Sequence, residues 1–331
     1  MISMEKNKEL NSFELQLEVL TGCAFNCAGC HVNKESDARI TEKLYTVAYE
    51  FLAHMEPFAI LIGSTDIFTA RNAKVVLTDI RLTELIRKFS RLVVNSTLAK
   101  LDEEILALLA ALDIPVQVNV VVPETKTLNE RYLQAIAKRV ERLKETLPDA
   151  VVHYQFNVME DMRLKDYDAV NAMYFHHLGD GVDLNMSFAR TSTDPQVYLN
   201  MFRQLKGISL KSEVTVDGSN LERHVNHALL KDKMERVIIF YENEFYAYPI
   251  VYDDLVQLKE LYRINDYADY MAQYDRHVAE QYEYMTCTDE CATCEVLPMC
   301  VEHKVLSVMK DYGITECVLP RQTILKSSGW A

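Results

Sequence analysis

Three cysteines near the amino terminus have the spacing of a metal-cluster loop. Cys23, Cys27 and Cys30 are separated by three and by two residues, so their thiolates fall on one short loop. Three thiolates can hold three irons of a [4Fe-4S] cube and leave the fourth iron without a protein ligand. The alternative is a zinc site, which usually takes four ligands, and His31 is the nearby candidate for the fourth. The three-plus-one arrangement favours the cluster.

An iron without a protein ligand determines the chemistry expected of this loop. Such an iron can chelate the amino and carboxylate groups of S-adenosylmethionine (SAM), and one electron from the cluster then breaks the sulfonium bond. The product is a 5'-deoxyadenosyl radical, which can abstract hydrogen from a substrate. The sequence therefore predicts a catalytic cluster.

Composition and charge exclude several other classes of protein. The chain has 331 residues, with 35 basic and 49 acidic side chains and a formal charge of −14, which opposes binding to nucleic acid. No run of 18 uncharged apolar residues occurs, and the polar start MISMEKNKELNSFE does not fit a secretory signal. We therefore expect a cytoplasmic protein with no membrane partner, in which eight cysteines indicate metal ligation rather than disulfides.

The cysteine loop follows a predicted strand, and strands then alternate with helices. Residues 13–20 alternate apolar and polar side chains and lead directly into the loop. Alternating strands and helices predict a parallel sheet, and about six units favour an open, partial (β/α)6 barrel over a closed eight-fold barrel. The further predicted strands are 58–62, 91–94, 116–122, 151–158 and 184–188. The predicted helices are 40–55, 77–89, 101–112, 128–147 and 170–178.

The pattern changes in the carboxyl-terminal third. Residues 237–252 predict two antiparallel strands around a turn that contains Asn, and five cysteines follow between Cys287 and Cys317. We therefore divide the chain into a partial barrel with its following helices, residues 1–235, and a smaller domain, residues 236–331. The second cysteine group contains Cys291, Cys294, Cys300 and Cys317, and four thiolates suffice for a closed iron-sulfur cluster or a structural zinc site.

The first 190 residues resemble the radical SAM superfamily, in which three cysteines at this spacing follow the first strand of a partial barrel. Gly29 stands where family members usually carry an aromatic residue. Gly63-Ser64-Thr65-Asp66 is a partial match to the family's GGE-like stretch, which holds the methionine amino group, and Asn95-Ser96-Thr97-Leu98 is similar to its Thr-Asn-Gly-Thr turn. The SAM-binding residues that the resemblance implies are Gly63, Ser64, Thr65, Asp66, Asn95, Ser96, Asn119, Asn157, Ser187 and Arg190. For Asn119, Asn157 and Ser187, a hydrogen-bonded core role is an equal alternative. For Arg190, an exposed salt bridge is the alternative.

The second cysteine group resembles the outer auxiliary [4Fe-4S] cluster of SPASM or Twitch domains. Lys304 occupies the place of a cysteine expected for the inner cluster, so the resemblance implies a reduced domain with one auxiliary cluster. Cys287 is left over. Its possible roles are a replacement ligand, an inert buried thiol, or a catalytic hydrogen-atom donor like the cysteines of peptide epimerases in this superfamily.

The resemblance implies a radical SAM enzyme with two [4Fe-4S] clusters and SAM as cofactors. The expected substrate is a peptide or protein side chain, which would be cross-linked, oxidised or epimerised, and the expected electron donor is a flavodoxin or ferredoxin. One alternative is a radical SAM dehydrogenase for a small molecule such as an amino sugar. An alternative of another class is a zinc-stabilised protein without catalytic activity.

Overall fold

The structure is a computed structural model. It describes residues 12–25, 39–63, 65–123, 129–158, 176–177, 184–188, 214–216, 236–247 and 263–273. Its strands are β1 (Ser12–Leu17), β2 (Glu56–Ile62), β3 (Arg91–Ser96), β4 (Val116–Val122), β5 (Val151–Val158), β6 (Leu184–Phe188), β7 (Val214–Val216), β8 (Arg236–Tyr241), β9 (Glu244–Ala247) and β10 (Arg263–Ile264). Its helices are α1 (Glu42–His54), α2 (Ala73–Thr78), α3 (Ile80–Ile86), α4 (Glu103–Ala110) and α5 (Glu130–Thr146).

Parallel strands form the centre of the sheet. Strands β1 to β6 lie side by side in chain order, and every neighbouring pair among them is parallel. This arrangement confirms the predicted α/β class and the open, partial barrel of about six strands. Strand β7 continues the sheet beyond β6 and is also parallel, although its three residues are too short to stand out in the sequence.

The two faces of the sheet differ in character. On β3 and β4 the apolar side chains Leu92, Val94, Val118 and Val120 are fully buried and belong to one core cluster with residues of the helices, such as Phe51. The alternate side chains on the same strands are half-buried, and several are polar. We call the first face the outer face and the second the inner face. This alternation follows from the two-residue period of a strand.

The helices largely match the predicted segments, with one difference. The predicted helix 77–89 is divided into α2 and α3 at Asp79, whose backbone is extended and whose carboxylate accepts a hydrogen bond from Leu82 N at 2.8 Å. An aspartate that caps a helix start in this way ends the preceding helix. The predicted helix 170–178 lies outside the described residues except for residues 176–177. No helix in the described part of the chain is long and apolar enough to cross a membrane.

The predicted hairpin is confirmed and joins the same sheet. Strands β8 and β9 are antiparallel and connected through Glu242 and Asn243, both with positive φ, as a type I′ turn requires. Strand β8 also pairs in parallel with β1, so the sheet continues across the predicted boundary at residue 235. Further along, the rings of Tyr267 and Tyr270 pack edge-on against Phe51 of α1, at centroid distances of 5.4 and 5.2 Å. The division into two domains stays a prediction.

Candidate functional site

The chain leaves β1 at the carboxyl edge of the sheet and enters the cysteine loop there. Gly63 N donates to Leu17 O at 2.6 Å, and Glu18 N donates to Phe240 O at 2.9 Å, so both neighbouring strands hold the end of β1. Five residues later, Cys23 is half-buried. The carboxyl ends of parallel strands are where α/β proteins generally place their ligands. The first predicted cluster ligand therefore lies at the edge where a cofactor site is expected.

Asn72 fastens the segment that leads to Cys23. Its Oδ1 accepts a hydrogen bond from Thr21 N at 2.8 Å, and its Nδ2 donates to Val19 O at 2.8 Å. Arg71 N donates to Thr21 O at 2.8 Å and adds a third link. Asn72 is the residue before α2, but its side chain does not cap that helix. The amide instead holds the segment that leads to Cys23 against the segment that follows β2.

Glycine is required immediately before the first cysteine. Gly22 has a φ of 76°, in the left-handed region, and a Cβ at this position would clash with the side chain of Arg71. Only glycine adopts this conformation without steric strain. The Thr-Gly-Cys sequence thus positions Cys23 by its backbone geometry.

Asp66 connects the end of β2 to the turn after β3. Its buried carboxylate accepts four hydrogen bonds: from Thr97 N at 2.7 Å, Thr97 Oγ1 at 2.6 Å, Phe68 N at 3.0 Å and Ser96 Oγ at 3.3 Å. Burial raises the pKa of the Asp66 carboxyl above its ordinary value, and these hydrogen bonds counteract part of that rise. Both carboxylate oxygens are engaged inside the protein. The role of Asp66 and Ser96 in holding SAM stays a prediction. In the structure, both residues take part in hydrogen bonds that join the end of β2 to the turn after β3, and we call this set of bonds the brace at Asp66.

The turn after β3 is held from a second side by α5. Tyr132 Oη donates to Thr97 O at 3.0 Å, and the Arg139 guanidinium donates to Leu98 O at 2.8 Å. Leu98 is fully buried with a φ of 48°, and its N–H donates to Ser96 Oγ at 2.9 Å. A leucine in the left-handed region is strained, and such strain persists where surrounding contacts fix the backbone. The β3 turn is therefore a rigid support beside the end of β2.

Thr65 carries an unsatisfied polar group at the end of β2. The residue is 1% exposed, and its Oγ1 has no hydrogen-bond partner within the described residues. A buried hydroxyl without a partner is unfavourable by about 1 to 3 kcal/mol, so such groups usually mark an absent ligand or water. This orphan hydroxyl fits the polar methionine end of SAM, which the resemblance assigns to this stretch. Gly63, two residues earlier, has a φ of 66°, which bends the chain at the strand end.

Three side-chain amides form a continuous ladder on the inner face. Gln117 Nε2 donates to Asn119 Oδ1 at 2.9 Å, Asn119 Nδ2 donates to Asn95 Oδ1 at 3.1 Å, and Asn95 Nδ2 donates to Gly63 O at 2.9 Å. Asn95 and Asn119 are register partners on β3 and β4, and all three amides are half-buried. We refer to Gln117, Asn119, Asn95 and the Gly63 carbonyl as the amide ladder. It brings together the predicted residues Gly63, Asn95 and Asn119.

Other predicted site residues are placed only in part. Asn157 and Ser187 are register partners near the ends of β5 and β6, on the same edge of the sheet as Asn95. Ser64 and Arg190 lie outside the described residues, as do Cys27, Cys30, Cys287, Cys291, Cys294, Cys300 and Cys317. Consistent with that, no group of three His, Cys, Asp or Glu side chains among the described residues could hold a metal ion.

Asn72 and Gln117 were not identified from the sequence, and Thr97 was named only as part of the turn after β3. Asn72 precedes a helix and has the pattern of an ordinary cap, so the sequence does not reveal its bond to Thr21, two residues before Cys23. Gln117 had a usable signal, because it lies two residues before Asn119 in the run VQVNVVV and so shares its face.

Comparisons with known proteins show the fold. No family model matches the chain, and no curated protein matches it. The structure of anSMEcpe with bound AdoMet and Cp18Cys peptide matches at a TM-score of 0.54 and 12% identity, over 91% of this chain and 97% of that one. Streptococcus suis SuiB bound to precursor peptide SuiA matches at 0.52 and 11% identity, over 90% of this chain and 72% of that one. The chain therefore has the partial-barrel fold of anSMEcpe and SuiB, which is the fold that its resemblance to the radical SAM superfamily implied.

Proposed function

We propose that this chain is a radical SAM enzyme that modifies a peptide or protein side chain. The observation that carries the proposal is the position of Cys23: it follows the end of β1 at the carboxyl edge of a partial barrel. At the same edge, the end of the neighbouring strand β2 carries the Thr65 hydroxyl, which has no partner among the described residues, and the Gly63 carbonyl that ends the amide ladder. Cys23, Cys27 and Cys30 would hold a [4Fe-4S] cluster. With SAM bound, that cluster supplies a 5'-deoxyadenosyl radical that abstracts hydrogen from the substrate.

The residues of the chain have distinct tasks in this proposal. Thr65 and the residues at the end of β2 bind the methionine end of SAM, while Asn95 and Asn119 offer amide groups to its oxygen atoms. Gly22 and Asn72 fix the cysteine loop, and the brace at Asp66 fixes the end of β2 against the β3 turn. Asn157 and Ser187 would extend the cofactor site along the same edge, and Arg190 would bind the SAM carboxylate or a substrate anion. Binding energy from this fixed frame holds reacting groups close together and excludes water.

The substrate class is proposed from the fold comparisons and the charge. SuiB was solved with a precursor peptide and anSMEcpe with a peptide, and this chain shares their fold. Its net charge of −14 favours a cationic segment in the substrate. We propose hydrogen abstraction from such a peptide as the first step of cross-linking, oxidation or epimerisation.

A second cluster is proposed for the carboxyl-terminal domain, residues 236–331. Its ligands would be Cys291, Cys294, Cys300 and Cys317, with Cys287 as a candidate hydrogen-atom donor. Two cubes would give about eight irons and eight sulfides per chain, whereas one cube and one zinc would give about four irons and one zinc. Metal and sulfide analysis of protein purified without oxygen separates these two outcomes.

The test of the proposed function is SAM cleavage. The protein is purified and reconstituted without oxygen, then incubated with SAM and dithionite, and 5'-deoxyadenosine is measured by chromatography. We expect deoxyadenosine from the wild type and none from Cys27→Ala. Because all eight cysteines are assigned to sites or to the reaction, the controls are wild-type reactions that omit SAM or dithionite. Zinc in place of iron, with no deoxyadenosine from the wild type, would refute the proposal.

A further inference from the structure

We propose that Gln117 is a positioning residue: through the amide ladder it fixes the orientation in which Asn119 and Asn95 present N–H donors to SAM. This inference rests on the proposed function, since it assigns a task within the same site. Gln117 would act without touching the cofactor. Its effect would pass along three hydrogen bonds of 2.9, 3.1 and 2.9 Å to the end of β2.

The Gly63 carbonyl determines which group donates and which accepts at each hydrogen bond of the amide ladder. The Gly63 carbonyl can only accept, so Asn95 must turn its Nδ2 toward it and its Oδ1 toward Asn119. Asn119 must then turn its Nδ2 toward Asn95, which leaves its Oδ1 facing Gln117. The last link closes only if residue 117 donates. Glutamine satisfies this condition through its Nε2.

The ladder leaves hydrogen-bond donors for a ligand. An amide nitrogen has two N–H groups, and the ladder uses one from each of Asn95 and Asn119. Each of these two residues therefore keeps one N–H that has no partner among the described residues. Both side chains are half-buried on the inner face, where Asn95 lies one strand away from the end of β2. A ligand rich in acceptor oxygens, such as the ribose hydroxyls or the carboxylate of SAM, complements these donors.

A glutamate at position 117 would break the ladder with almost no change in shape. Its carboxylate can only accept, so the ladder would have an acceptor at each end and two amides between them. If Asn119 turned to donate to the carboxylate introduced at position 117, its Oδ1 would face the Oδ1 of Asn95. If Asn95 turned as well, its Oδ1 would face the Gly63 carbonyl. One contact between two acceptors is unavoidable, and the donors offered to SAM change with it.

The experiment compares three variants of the reconstituted, oxygen-free enzyme. Gln117→Glu replaces the donor to Asn119 with an acceptor, and Gln117→Leu removes the donor. Gln134→Glu is the control, because it adds the same charge on the exposed face of α5. The dissociation constant of SAM is measured by calorimetry, together with iron content, the melting temperature and the rate of SAM cleavage at saturation. We expect the constant to rise about tenfold for Gln117→Glu, about threefold for Gln117→Leu, and by less than about twofold for Gln134→Glu.

A positioning role makes two further demands. Iron content and the saturated cleavage rate should stay within about twofold of the wild type, because the affected step is SAM binding. In an Asn119→Ala background the ladder is already interrupted, so Gln117→Glu should then have no further effect on the dissociation constant. This double variant separates transmission through Asn119 from a general disturbance of folding.

Several results would overturn the inference. An unchanged dissociation constant for Gln117→Glu, or an equal loss for Gln117→Leu, would contradict transmission through the ladder. An undiminished effect in the Asn119→Ala background would do the same. In those cases the wild type still binds and cleaves SAM, and the proposed function stands. A wild type that binds no SAM would overturn both.

Discussion

The outer and inner faces of the central strands differ in polarity, although their residues alternate along the same strands. On β3, Leu92 and Val94 are fully buried in the core, while Asn95 lies half-buried on the inner face and bonds to its neighbour on β4. The outer face therefore holds the fold together by apolar burial. On the inner face, the side-chain amides of Gln117, Asn119 and Asn95 bond to one another, and each asparagine keeps one N–H without a partner among the described residues. We therefore expect that stability and ligand binding can be changed separately, and the variants below test this expectation.

The largest expected loss of stability follows from removing the brace at Asp66. Asp66→Ala would leave four buried donors without an acceptor, two from Thr97 and one each from Phe68 and Ser96. We expect the free energy of unfolding to fall by about 3 to 5 kcal/mol, because buried donors without partners carry the full desolvation penalty. Urea unfolding monitored by circular dichroism measures this.

Asp149 provides the control for Asp66. It is exposed in the turn before β5, and Asp149→Ala should change the free energy of unfolding by less than about 0.5 kcal/mol. A loss at Asp66 no larger than at Asp149 would show that the brace does not support the end of β2.

The next effect compares adjacent valines on opposite faces of β3. Val94 is fully buried on the outer face, whereas Val93 is half-buried on the inner face. We expect Val94→Ala to destabilise by about 2 to 3 kcal/mol and Val93→Ala by about 1 kcal/mol or less. Equal losses, measured by the same unfolding experiment, would contradict the distinction between the two faces.

Substitution of Asn72 should destabilise the protein less, but it should also lower the content of the proposed iron-sulfur cluster. Asn72→Ala removes the two hydrogen bonds to Val19 and Thr21, with an expected loss of about 1 to 2 kcal/mol and a lower iron content after reconstitution. Asn129→Ala is the matched control, because it removes the cap of α5, a bond to Tyr132 N at 3.0 Å. The control should lose about 1 kcal/mol and keep the wild-type iron content. Equal iron contents in the two variants would show that Asn72 does not position the cysteine loop.

The sequence predicted most of the parallel sheet because its strands are marked by local signals. Five predicted strands between residues 58 and 188 correspond to β2 through β6, since each is a short apolar or alternating run. Predicted strand 13–20 ends earlier, at Leu17, because the next residues leave the sheet to enter the cysteine loop. The missed strand β7 has three residues and is defined by its neighbour β6 rather than by its own pattern.

The sequence identified several residues of the site, but it did not identify the hydrogen-bond partners of those residues. Cys23 and Gly63 could be named from local motifs, but the amide ladder depends on the register that sets Asn95 opposite Asn119. Register is a property of strand pairing, which a single segment does not encode. Asp66 illustrates the same limit, because its bonds to Thr97 join residues 31 positions apart. Long-range hydrogen bonds of this kind are visible only in the folded chain.

The smallest expected effect separates stability from binding most sharply. Thr65 and Thr97 follow adjacent strands and are both buried, but the Thr97 hydroxyl donates to Asp66 at 2.6 Å, whereas the Thr65 hydroxyl has no partner among the described residues. Valine matches threonine in shape and lacks the hydroxyl. Thr97→Val should therefore destabilise the protein by about 1 kcal/mol, and Thr65→Val should stabilise the SAM-free protein by about 1 kcal/mol.

If Thr65 binds SAM, the same Thr65→Val variant should raise the dissociation constant of SAM by about five- to tenfold in calorimetry. A stabilised variant with unchanged affinity would place the methionine end of SAM elsewhere, and a destabilised one would mean that the hydroxyl already has a partner inside the protein.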